Sequence, residues 1–145
     1  MKNIQSLLLT FFLIGNCCAN EISLICSGVE NFYSDKVGSK KLQESIEIVF
    51  DDSTKKLVSV NRTRLFGCFE SGADYTKYCD CKVIDSSISC LSESTNNKTN
   101  FKSSQTLKVN RATGMLSYGE TTVGENLIIT RSGDFSCESF SKKKF

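Results

Sequence analysis

Eight cysteines and no histidine stand in 145 residues. That pair of counts constrains the chain more than any other feature. A cysteine density of this kind belongs to small domains that are oxidised outside the reducing interior of the cell. The missing histidine removes Ser-His-Asp and Cys-His catalysis and every imidazole-ligated metal centre. The length suits one domain rather than two.

Cys17 and Cys18 belong to a separate segment. Met1-Lys2-Asn3 is a short positive start, residues 4–14 are mostly apolar, and Gly15-Asn16-Cys17-Cys18-Ala19 is small and polar. This is the three-part plan of a secretory signal peptide, with cleavage expected after Ala19. The apolar run is too short to span a bilayer as a helix, which takes about 20 residues. The alternative, a lipid anchor at Cys17 or Cys18, is disfavoured because Asn16 or Cys17 would precede the modified residue. The expected organisation is a signal at 1–19 and one domain at 20–145, periplasmic or secreted, with no membrane span.

Cys26, Cys68, Cys79, Cys81, Cys90 and Cys137 then remain. Six cysteines allow 15 pairings. Cys26 and Cys137 lie near the ends of the domain, so pairing them ties its first strand to its last. A loop of about 100 residues closed in this way contributes up to about 4.7 kcal/mol in the chain-entropy model. Residues 79–90 read as a hairpin with Asp85-Ser86 at its tip, which sets Val83 opposite Ile88 and Cys81 opposite Cys90. A slip of one residue would turn every side chain to the other face. Cys68 is left for Cys79. Cys79-Asp80-Cys81 could also serve a soft metal or disulfide exchange. Redox motifs more often space the thiols by two, so the expectation is structural disulfides and no metal site.

The rest of the domain reads as antiparallel β, with about eight short strands closed as a small barrel or a sandwich. Strand patterns fall at 22–27, 45–50, 56–60, 78–84, 87–91, 101–110, 115–119, 126–130 and 135–137. Turns are expected at Asp51-Asp52-Ser53-Thr54, at Asn110-Arg111-Ala112-Thr113-Gly114 and at Ser132-Gly133-Asp134. Only 38–44 has a helical look.

Three segments carry a resemblance: Leu24-Ile25-Cys26-Ser27-Gly28, Asn110-Arg111-Ala112-Thr113-Gly114-Met115-Leu116, and Phe135-Ser136-Cys137 running to Phe145. Together they resemble a broad group of small exported bacterial proteins. That group has an early Cys-x-Gly, a late Asn/Asp-Arg-x-Thr-Gly turn, and a last cysteine followed by a basic tail ending in Phe. The resemblance implies a periplasmic β-domain and no activity; the middle cysteines stand outside its pattern. A second segment, Ser71-Gly72-Ala73-Asp74-Tyr75, is similar to the Ser-Gly-Ala-(Lys/Arg)-Tyr loop of periplasmic c-type lysozyme inhibitors, which are small disulfide-tied barrels. That likeness implies a partner-binding loop of Ser71, Gly72, Asp74 and Tyr75. Asp74 stands where those inhibitors carry a base, and it would repel a hydrolase's catalytic carboxylates.

The formal net charge of +2 gives no reason to expect nucleic acid as a partner. Asp51-Asp52, the only adjacent acidic pair, reads as turn capping rather than as a catalytic dyad. Arg62, Arg64 and Arg111 could hold an anion. The basic Lys142-Lys143-Lys144 reads as a solvated chain end. No catalytic residue and no cofactor is expected. The function expected is that of a monomeric, non-enzymatic binding protein for an unidentified protein or small ligand, the alternative being a lysozyme-type hydrolase inhibitor.

Overall fold

A computed structural model describes residues 21–61, Cys68 and 74–141, the last three by backbone alone. The proposed signal at 1–19, with Cys17 and Cys18, and the basic tail at 142–145 lie outside the described residues. Among the described residues, no helix is long and apolar enough to cross a membrane.

Eight antiparallel strands form one sheet: β1 (Glu21–Ser34), β2 (Gly38–Asp51), β3 (Lys56–Val60), β4 (Tyr75–Val83), β5 (Ser87–Asn96), β6 (Lys102–Asn110), β7 (Met115–Gly124) and β8 (Leu127–Ser141). Their order across the sheet is β3-β2-β1-β8-β7-β6-β5-β4. Each strand pairs with its neighbour in the chain, except across the 61–74 connection, and β8 returns to pair with β1. The sheet curls into a nearly closed barrel whose seam lies between β3 and β4, in the middle of the chain rather than at its ends. Eight strands enclose an interior just wide enough for side chains to fill.

Strict alternation produces this core. In β6, Gln105, Leu107 and Val109 are buried while Thr106, Lys108 and Asn110 face water. Ile46, Ile48 and Phe50 do the same from β2, as do Leu116 and Tyr118 from β7. A period of two is the signature of a sheet with one dry face.

The sulfur pairs follow from the registers. Cys26 lies directly opposite Cys137 in the β1–β8 ladder, and Cys81 directly opposite Cys90 in the β4–β5 ladder. Disulfides join Cys26 to Cys137, Cys68 to Cys79 and Cys81 to Cys90. The Cys68–Cys79 bridge reaches from the 61–74 connection to β4.

Two segments differ from their sequence reading. Residues 38–44, with their helical look, form the first half of β2. Pairing with β1 extends this hairpin to Ser34↔Gly38, and Gly38 takes φ +72° at its end. Ladder bonds over the whole of β1 outweigh a weak local helix preference. Ser132-Gly133-Asp134 is no turn either; it runs straight through β8. Gly133 is needed there for close approach, because a Cβ would meet the Val29 carbonyl at 2.7 Å and the Phe135 ring at 2.9 Å.

Replacing Cys26 and Cys137 together by Ala should lower unfolding free energy by about 2–5 kcal/mol. Urea denaturation read by circular dichroism checks this. An unchanged midpoint would show that the β1–β8 ladder holds without its bridge.

Candidate functional site

Three turns meet at the barrel end that carries Ile22 and Phe50. They are the β2–β3, β4–β5 and β6–β7 connections, and two of them are built by a local polar side chain. Asp51 Oδ1 accepts hydrogen bonds from the Ser53 hydroxyl at 2.6 Å, the Ser53 amide at 2.8 Å and the Thr54 amide at 3.2 Å. Asn110 Oδ1 accepts from the amides of Ala112 and Thr113 at 3.0 and 3.1 Å. Gly114 closes that turn with φ +67°, and its carbonyl accepts the Cys137 amide at 2.7 Å. Positive φ is what glycine supplies most cheaply.

Charged side chains then bind the turns to one another. Lys55 Nζ lies 3.0 Å from Asp52 and 2.7 Å from Asp85. Arg111 Nη1 lies 3.0 Å from Asp52 and donates to the Ile84 carbonyl at 2.9 Å. The Arg111 guanidinium also stacks 4.9 Å over the Phe50 ring. Lys55 and Asp85 belong to hairpins on opposite sides of the seam, so this pair latches the β2–β3 hairpin to the β4–β5 hairpin where backbone pairing is missing.

The latch perturbs its own ionisation. The hydroxyl of Ser53 leads the groups that hold Asp51 down to about 2. The hydrogen bond from Lys55 holds Asp52 and Asp85 below the usual carboxylate range. Asp85, and then Asp52, hold Lys55 above the ordinary ammonium range.

Beneath Arg111 lies a cavity of about 310 Å³, with Ile22, Leu24, Phe50, Val109 and the Cys137 end of a disulfide around it. Its lining mixes these hydrocarbon side chains with polar surface, from the Arg111 guanidinium and the Gly114 backbone among others. Hydrophobic side chains with a few polar groups to orient a guest are what small-ligand sites combine.

The other half of the interior is polar. Glu30 and Gln105 are buried, as are Ser92, Ser94 and Glu120. Arg131 stands between the two acids, 3.7 Å from Glu30 and 3.8 Å from Glu120, and lies 5.4 Å over the Phe32 ring. Tyr118 donates to Glu120 at 2.7 Å. Arg131 pairs with the two carboxylates by charge at longer than hydrogen-bond distance, and the Tyr118 phenol supplies a direct hydrogen bond to the group.

The proposed partner loop is only half in view. Ser71 and Gly72 lie outside the described residues. Asp74 is ion-paired with Lys98 at 2.8 Å, and its carbonyl accepts the Asn97 amide at 2.7 Å. Tyr75 starts β4 opposite Asn96, half-buried. Of the three arginines considered for an anion, Arg62 and Arg64 lie outside the described residues, and Arg111 is engaged in the latch. Lys55 and Asp85 carried no sequence signal, since their pairing spans 30 residues and depends on closure.

Stability should fall at both pH extremes, with opposite causes. Carboxylates whose folded pKa is depressed stabilise the fold above their unfolded value of about 3.9, and lose that contribution as pH falls through the folded value. For Asp51 this extends to about 2. Lys55, raised, stabilises up to about pH 10.4 and loses this as pH climbs through its folded value. Thermal midpoints from pH 2 to 11 should therefore form a plateau with two shoulders. Lys55→Ala should remove the alkaline shoulder and shrink the acid one; an unaltered profile would discard the latch.

No family model, curated protein or solved structure gives a match to this chain.

Proposed function

We propose that this chain is an exported, non-enzymatic β-barrel that binds a small ligand with an apolar body in the recess beneath Arg111. The observation that carries the reading is the recess itself. At about 310 Å³ it lies within the size range of ligand sites, and it is walled by side chains from β1, β2, β6 and β8. Those walls sit on paired strands, and the Cys26–Cys137 bridge fixes one of them, so the site needs little reordering to receive a guest. Arg111 lines the recess while paired with Asp52, so an anionic head group would share its guanidinium with that carboxylate. Export and a periplasmic address rest on the 1–19 segment, and three disulfides suit an oxidising compartment.

A second reading keeps the 71–75 loop as an inhibitor of a lysozyme-type hydrolase. Lys98 favours it, because its ammonium neutralises Asp74 and so removes the repulsion that Asp74 alone would present to catalytic carboxylates. A cell-lysis assay with lysozyme separates the two readings. Absence of protection at micromolar protein would sink this one and leave the first untouched.

For the first reading, titration with anilinonaphthalene sulfonate, an aromatic anion, should show saturable one-to-one fluorescence enhancement. Ile22→Trp, which fills the recess from its edge, should weaken binding at least about tenfold, the equivalent of about 1.4 kcal/mol. Equal binding by the filled variant, or none by the native chain, would refute the assignment.

A further inference from the structure

Three cysteine sulfurs near the seam form one group across two bridges, and the fourth, Cys90, is bonded to it through Cys81. Cys81 Sγ is bonded to Cys90, yet it lies 3.7 Å from Cys68 Sγ and 3.8 Å from Cys79 Sγ. The sulfurs of Cys68, Cys79 and Cys81 all fall within 4.8 Å of one another. Two strands and one connection converge to place them. Cys79 and Cys81 share a face of β4, Cys90 faces Cys81 from β5, and Cys68 reaches in from the 61–74 connection.

Two of those spacings match a coordination geometry. A tetrahedral zinc site built of four cysteines holds each sulfur about 2.3 Å from the metal, which sets neighbouring sulfurs about 3.8 Å apart. Both distances from Cys81 to the other bridge already have that length. Cys90 lies outside the three-sulfur group, so once the two bonds open its side chain must rotate to bring the fourth sulfur to that distance. With no histidine in the chain, an all-thiolate donor set of this kind selects soft or borderline cations. We propose that Cys68, Cys79, Cys81 and Cys90 are a redox-switched metal site: two disulfides when oxidised, and a four-thiolate cage for one thiophilic d10 cation such as Zn²⁺ when reduced.

The switch balances with an external dithiol as reductant. Cys79 is exposed and Cys90 is buried, so reduction starts at the outer bridge. A dithiol thiolate attacks Cys79 Sγ and expels the Cys68 thiolate. The dithiol's second sulfur then displaces Cys79 as a thiol and leaves as a cyclic disulfide. The Cys68 thiolate, 3.7 Å from Cys81 Sγ, bonds to it and expels the Cys90 thiolate. A second dithiol opens the Cys68–Cys81 bond in the same way. Two dithiols become two disulfides, four cysteine sulfurs are reduced, and metal binding releases their four protons. Cys26 is fully buried, which closes that sulfur of the Cys26–Cys137 bridge to attack, while Cys79 stands exposed.

Anaerobic reduction of the folded protein with limiting phosphine, followed by Zn²⁺ or Co²⁺ titration, tests the proposal. Peptide mapping should find Cys26–Cys137 intact. Gel filtration should retain one Zn²⁺ per chain, with Cys68, Cys79, Cys81 and Cys90 shielded from alkylation. Co²⁺ should give the intense visible absorption of tetrahedral thiolate coordination. Cys90→Ser should weaken the metal at least about 100-fold, beyond the loss expected for an outer-shell partner. Substoichiometric zinc, an octahedral cobalt spectrum, or equal binding by Cys90→Ser would each overturn the assignment. So would a reduced chain that loses its β circular dichroism and takes up no metal.

Discussion

The ladder between β1 and β8 joins the two ends of the domain, and the rest of the barrel depends on it. It pairs Ile22 with Ser141 and Ser34 with Ile129, with Cys26 opposite Cys137 in between. Every other strand pairing is local, a hairpin or a short return. This one spans 111 residues at the bridge and carries most of the loop-closure cost of the topology. Two glycines let it close. Beside Gly28, a Cβ would meet the Asp134 carbonyl at 2.5 Å, and Gly133 is constrained in the same way by Val29 from across the ladder. The covalent bond therefore sits in the ladder where the backbones approach closely and where the chain loses most entropy.

Placing that closure at the termini moves the seam to β3 and β4. β3 has only five residues, a length that exposes little unpaired edge. β4 is longer and carries Lys77 and Lys82, charges that discourage edge pairing with another molecule. Side chains replace the missing ladder: the Lys55–Asp85 ion pair at one end, and Cys68–Cys79 linking the connection to β4. Exposed ion pairs contribute little individually. Here Arg111 and Lys55 share Asp52, so three turns act as one network, and the latch positions the lip of the recess as well as the seam.

Alternation made the strands legible in the sequence, and the turn chemistry of Asp51, Asn110 and Gly114 marked where they end. The hairpin register at 81–90 was legible too, because Cys81, Val83, Ile88 and Cys90 form a single apolar face. Elsewhere local reading failed for identifiable reasons. Residues 38–44 have no strand pattern of their own and become β2 only because β1 is long enough to pair with them. Gly133 looked like a turn glycine, and its real constraint, the Val29 carbonyl across the ladder, is remote in sequence. The recess was illegible for the same reason: Ile22, Phe50, Val109 and Cys137 adjoin only after closure.

The interior also divides by polarity, and this decides which end can receive a guest. At the Glu30 end, an apolar molecule would have to displace buried polar side chains, with Glu30 and Glu120 paired by charge to Arg131. Separating either buried acid from Arg131 would leave an uncompensated charge out of water, which opposes entry of an apolar guest. At the Phe50 end, Ile22, Leu24, Phe50 and Val109 supply hydrocarbon and the Arg111 guanidinium lies at the lip, where water still reaches it. A guest there displaces solvent from hydrocarbon and leaves the buried hydrogen bonds untouched. The same polar half that helps specify one register of the barrel therefore directs binding to the opposite end, beneath the latch.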